Sequence, residues 1–148
     1  MRRAPAADSD ERPLGITLLS GLYLFFFLVS ASTYGNPFPF LGRIYTDMPA
    51  KALVVADCLI CLYLFLGVIR RQRLTWYLLI AYNSFEIINT VVNVKFISVA
   101  ELEHLIGTPV NSDGLWVNNI AASLAILLLT QYIYRSKRLF SNRGYYLF

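Results

Sequence analysis

Long apolar runs alternate with short polar breaks along this chain. Read at helical rise, four of the runs match the thickness of a bilayer. The first, about residues 14–34, is 21 residues long and covers roughly 31 Å, close to the hydrocarbon core of a membrane. The others are expected at about 50–69, 74–98 and 115–134. Each is long enough for a helix that satisfies its own backbone groups in lipid. The pattern therefore predicts an all-α fold, a four-helix antiparallel transmembrane bundle.

The breaks agree with this division. Pro13 stands where a first helical turn begins, since its missing N–H costs nothing there. Pro37 and Pro39 stop any helix, and the aromatic segment that follows, to about Pro49, is expected to lie along the outer membrane surface. Arg70, Arg71, Gln72 and Arg73 make a turn so short that the second and third runs must form an antiparallel hairpin. Residues 99–114 read as a second outer loop, with turn signals at Thr108-Pro109 and Ser112-Asp113-Gly114.

Basic residues set the orientation. Of the 13 Lys and Arg residues, ten lie in the leader, the 70–73 turn or the tail, and only Arg43, Lys51 and Lys95 lie at the opposite ends. Such asymmetry in short loops assigns the rich side to the cytoplasm, so both termini are expected inside. The segment 1–13 reads as a disordered cytoplasmic leader and 135–148 as a basic, aromatic cytoplasmic tail suited to the membrane face. Arg2, Arg3 and Arg12 followed by Val29-Ser30-Ala31 imitate a cleavable signal peptide. The first run exceeds the usual 7–15 residue apolar region of such signals, so an uncleaved helix is expected.

Composition narrows the class without changing it. Hydrophobic residues make up 57% of the chain, charged residues 15%, and the mean hydropathy is +0.53, which leaves no room for a soluble domain. The net charge of +4 sits beside the apolar runs, where orientation explains it without nucleic acid. The expected partners are the lipid bilayer and either further copies of the chain or another membrane subunit.

Candidate chemistry concentrates on polar residues within the apolar runs. Glu86 lies midway along the third run, and intramembrane acids are rare because insertion costs about 2.5–3.5 kcal/mol. Asn83, Glu86, Thr90 and Asn93 recur at 3–4–3 spacing on one helical face, with Asn89 at its flank. Such a stripe must face protein or water. Two readings remain open, a protonatable ion site and interhelical glue made of amides and one carboxyl. Asp57 falls near the level of Asn89 and Asn93, where it either pairs with Lys95 or joins Asn93, Asn118 and Asn119 in a polar mouth above Glu86.

Cys58 and Cys61 have the spacing of a dithiol motif. They lie inside an apolar helix, where burial and diverging i,i+3 side chains oppose thiol chemistry. His104 with Glu101 and Glu103 reads as a solvated acidic surface, so no metal is expected. No nucleotide loop or nucleophile elbow is present, and no cofactor or enzymatic activity is expected.

The opening Arg12-Pro13-Leu14-Gly15-Ile16-Thr17-Leu18-Leu19 resembles the R-P-x-G-[IV]-T-x-L start of many small prokaryotic membrane proteins. Four spans and a Trp at the start of the third fit the same group. The resemblance implies a plasma (inner) membrane location, and it transfers no functional residue. The function expected is a non-enzymatic accessory or assembly component of a membrane system. The alternatives are an oligomeric ion- or proton-coupled permeation unit using Glu86 and, third, a membrane thiol oxidoreductase.

Overall fold

A computed structural model of the chain describes residues 13–144. Most of the leader and residues 145–148 of the tail lie outside the described residues. The described chain is mostly helical. Five α-helices run over α1 (Leu14–Ser32), α2 (Asp47–Ile69), α3 (Arg73–Phe96), α4 (Val99–Ile106) and α5 (Ser112–Arg135). Between α1 and α2 lies a small hairpin of β1 (Phe38–Phe40) and β2 (Arg43–Tyr45). Three helices, α1, α2 and α5, are long and apolar enough to cross a membrane. The equally long α3 carries Asn83, Glu86, Asn89, Asn93 and Lys95.

Side-chain contacts order the helices. Ser30, near the end of α1, meets Asp57, in the first half of α2, while Leu19 shares a cluster with Val68, so these two helices run antiparallel. Cys61 of α2 meets Tyr82 of α3, and Gly67 abuts Thr75 across the connecting turn. The indole Nε1 of Trp76 donates to the Ile133 carbonyl at 2.8 Å, which sets the start of α3 against the end of α5. Tyr23 of α1 reaches Asn83 of α3 and closes the group.

The dry core occupies one end of this arrangement. Ile16, Leu19, Leu64, Val68, Leu79 and Ile133 pack together there, at the end that bears the 70–73 turn. Close approach at that turn depends on Gly67, since a Cβ would overlap Thr75 Oγ1. Tail residues complete the packing. Phe140 is buried in the cluster, Asn142 pairs with Gln72 in a parallel bridge, and the Asn142 carbonyl accepts from the Arg73 amide at 2.8 Å. Arg71 Nε donates to the Leu139 carbonyl at 2.8 Å. The described tail therefore straps the turn, with Arg71 and Arg73 of the turn donating to tail carbonyls. Lys137 lies 4.7 Å above the Trp76 ring, a cation–π contact.

At the opposite end the structure departs from both expected loops. Residues 38–45 form a two-stranded antiparallel hairpin with Phe38 opposite Tyr45 and Phe40 opposite Arg43. Its two-residue turn is Leu41 (φ 47°) and Gly42 (φ 80°), and two positive φ values match the twist of a tight hairpin. Gly42 is also needed for space, because a Cβ would press on Phe96 and Val92 of α3. Within 99–114 the chain forms α4. Ser98 caps it by accepting from the Glu101 amide at 3.2 Å, and Gly107 ends it in the left-handed conformation. Glu103 then accepts from the Val110 amide at 3.0 Å and closes the loop.

Candidate functional site

The expected stripe is present on α3, but its members do different things. Asn89 is buried, and its Oδ1 accepts from the Leu41 amide at 2.8 Å. One turn on, Asn93 Oδ1 accepts from the Gly42 amide at 2.7 Å, and its Nδ2 donates to the Pro39 carbonyl at 3.3 Å. A hairpin turn exposes such amides, and these two asparagines satisfy them. Asn89 and Asn93 thus bind a β-hairpin to α3, a partner that neither reading of the stripe anticipated.

Deeper in the stripe, Asn83 is 2% exposed and its Oδ1 accepts from the Tyr23 hydroxyl at 2.7 Å. Its Nδ2 is buried with no hydrogen-bond partner among the described residues. An orphaned buried amide group costs free energy and points to an acceptor supplied from elsewhere.

Asp57 does not pair with Lys95. Its Oδ2 accepts from Ser30 Oγ at 2.6 Å and its Oδ1 from the Tyr82 hydroxyl at 2.8 Å. The expected partner Lys95 is exposed, with its Nζ 5.5 Å from the Phe96 ring. Two hydroxyls accommodate the carboxylate more cheaply than a lysine drawn in from the helix end, since no second charge is desolvated.

The two cysteines extend this shell. Both are free thiols. Cys58 Sγ donates to Ser30 Oγ at 3.6 Å, and Cys61 Sγ lies 3.4 Å from the Tyr82 hydroxyl. The phenol hydrogen is committed to Asp57, so the Cys61 thiol is the donor in that contact. Two short chains, Cys58 to Ser30 and Cys61 to Tyr82, therefore converge on one carboxylate. The C-x-x-C spacing places a thiol on each side of it.

Glu86 stands apart. No hydrogen bond from another described residue reaches its carboxylate. It lines two cavities. One, of about 310 Å³, lies beneath β1 and is walled by Phe38, Pro39, Asn89, Thr90, Asn93 and Asn119 with apolar residues of α3, α4 and α5. The other, of about 260 Å³, holds Asp57, Tyr82, Ser30 and Asn83. Phe38 borders both. Of the two α5 asparagines expected at an outer mouth, Asn119 faces the first cavity, with its Nδ2 donating to the Leu115 carbonyl at 2.8 Å, whereas Asn118 is exposed.

Three participants escaped the sequence reading: Tyr23, Ser30 and Tyr82. Tyr23 and Ser30 are seven apart and share the buried face of α1 with Ile16 and Leu19. Tyr82 is four residues before Glu86. Hydroxyls at helical spacing inside an apolar run were the available signal. No family model matches the chain, and no curated protein or solved structure resembles it.

Proposed function

We propose that the protein is a multi-pass inner-membrane protein that acts as a small ion- or proton-coupled permeation unit, with Glu86 as its binding group. In this reading α3 is a fourth span within an antiparallel bundle, its polar stripe turned to protein and cavity, and both termini face the cytoplasm. One observation carries the proposal. Asn89, Asn93, the Oδ1 of Asn83 and both oxygens of Asp57 are engaged by the protein's own groups, while the Glu86 carboxylate is left to two cavities. A carboxyl kept only as structural glue would be expected to have a partner.

The test is flux through proteoliposomes bearing the Glu86→Gln variant. Loss of flux with unchanged insertion and thermal stability supports the permeation role. Equal flux in variant and parent refutes it.

A second reading, an accessory or assembly subunit, draws on α5. Apart from Ile133, its residues are not buried, and Trp116, Ile120, Leu124 and Leu128 form an exposed apolar face suited to lipid or to another membrane subunit. Gentle extraction followed by native mass spectrometry separates the two. A stoichiometric foreign subunit supports the accessory reading, and a lone homo-oligomer supports permeation.

A further inference from the structure

We infer that the site beneath the hairpin takes a small organic ammonium ion, a monocation with an apolar body, with Glu86 as its counter-charge. This rests on the reading of Glu86 as a binding group. Charge supports the cation. Among the described residues, the two cavities that share Glu86 are lined by two carboxylates, Glu86 and Asp57, and by no lysine, arginine or histidine. Lys95, the nearest cation along α3, is exposed and lines an adjoining groove with Trp116, on the other side of Thr90, Val94 and Asn119.

Asp57 is already held by two hydroxyl donors, so the uncompensated charge is that of Glu86. A cation drawn to this point neutralises it, and a buried charge is tolerated when paired and hydrogen-bonded.

Wall chemistry separates an organic cation from a bare metal ion. Hard cations take about six to eight oxygen ligands closely spaced around one point. Here the carboxylate, the Thr90 hydroxyl and the amides of Asn93 and Asn119 are spread among apolar walls that include Val94, Ile97, Leu102 and Leu115. Apolar walls with a few placed polar groups are the general character of small-molecule sites, and about 310 Å³ falls at the lower end of their size range. An ammonium N–H donates to Glu86, and Phe38, which borders both cavities, gives the apolar body an aromatic wall. Asn83 lines the inner cavity as well.

The probe is 2-phenylethylammonium, with 2-phenylethanol as its neutral counterpart. Both are titrated into the full-length protein in phosphatidylcholine nanodiscs, with empty discs subtracted. The expected result is saturable binding of the ammonium. Binding should weaken at least about 30-fold in Glu86→Gln, as when one partner of a buried charge pair is removed, and be retained in Glu86→Asp. The alcohol comparison needs no variant: equal binding of alcohol and ammonium by the parent protein overturns the inference. Equal ammonium binding by Glu86→Gln also overturns it. No saturable binding with Glu86-dependent proton flux intact overturns the ligand class and leaves the permeation reading standing. Loss of both overturns the two together.

Discussion

Replacing Asn93 with leucine should loosen the β-hairpin while leaving the helices in place. Asn93 bridges two hairpin groups, accepting from the Gly42 amide at 2.7 Å and donating to the Pro39 carbonyl at 3.3 Å. Leucine is close in size, so the substitution removes hydrogen bonding with little change in volume. It leaves one amide and one carbonyl without their partner, at a position only partly buried, where water replaces some of the loss. The net cost is then about 1–2 kcal/mol, below the full penalty of a sealed orphan. Local opening of the hairpin should become roughly 5–30 times more populated. Amide hydrogen exchange in nanodiscs reads this directly, because the protection of Gly42 reports local opening. Leu41 should respond as well, since Asn93 Nδ2 also lies 3.4 Å from Asn89 Oδ1, the acceptor for the Leu41 amide. Leu41 holds a positive φ, a conformation costly for a branched residue, which gives that part of the turn a further reason to relax. The reasoning is refuted if exchange at Gly42 is unchanged. It is equally refuted if amides in the middle of α2 accelerate by the same factor, since that would mean global unfolding.

Three other perturbations test the packed end and the Asp57 shell. Gly67→Ala should destabilise by about 1–3 kcal/mol through overlap with Thr75, and adding Thr75→Ala should recover part of the loss in thermal melts, since the Thr75 Cβ still stands 2.9 Å from the added methyl. Trp76→Phe removes a buried indole donor from the Ile133 carbonyl and should cost about 1–3 kcal/mol, seen as a lowered melting temperature. Tyr82→Phe and Ser30→Ala each take one donor from the Asp57 carboxylate, for about 1.5–3 kcal/mol apiece. Because the two donors share a carboxylate, a double-mutant cycle on melting temperature should be non-additive, and strict additivity would argue against the shared shell.

The sequence was informative where one physical requirement dominates. A helix in lipid must be long, apolar and internally hydrogen-bonded, and the long helices lie over the apolar runs. Local capping is equally legible in principle: Ser98-x-x-Glu101 and Gly107 are the start and stop signals of α4, a helix of eight residues set within a segment whose turn signals read as a loop. What one sequence could not convey is which polar groups meet. The 3–4–3 spacing placed Asn83, Glu86 and Asn93 on one face, but the identity of the facing chain depended on a hairpin set by Leu41 and Gly42. The pairing of Asp57 illustrates the same limit. Counted from the outer ends of the two runs it fell near Asn93 and Lys95, whereas counted from the shared 70–73 turn it lies closer to the level of Tyr82, the partner it has in the fold.

That limit also explains why the lack of a partner at Glu86 shows only in three dimensions. On the sequence it already stands out as an acid midway along an apolar run, among several polar residues at helical spacing. In the fold Asn89 and Asn93 are taken by the hairpin tip, Asn83 by Tyr23, and Asp57 by Ser30 and Tyr82. The hairpin satisfies its own turn amides with the stripe, and β1 then roofs the cavity that Glu86 faces. Loosening the hairpin through Asn93 therefore alters access to Glu86 without touching its carboxylate. If permeation passes beneath β1, Asn93→Leu should change the rate of flux while Glu86→Gln abolishes it. If instead flux in Asn93→Leu equals that of the parent while Gly42 exchange has accelerated, the path to Glu86 does not run under the hairpin.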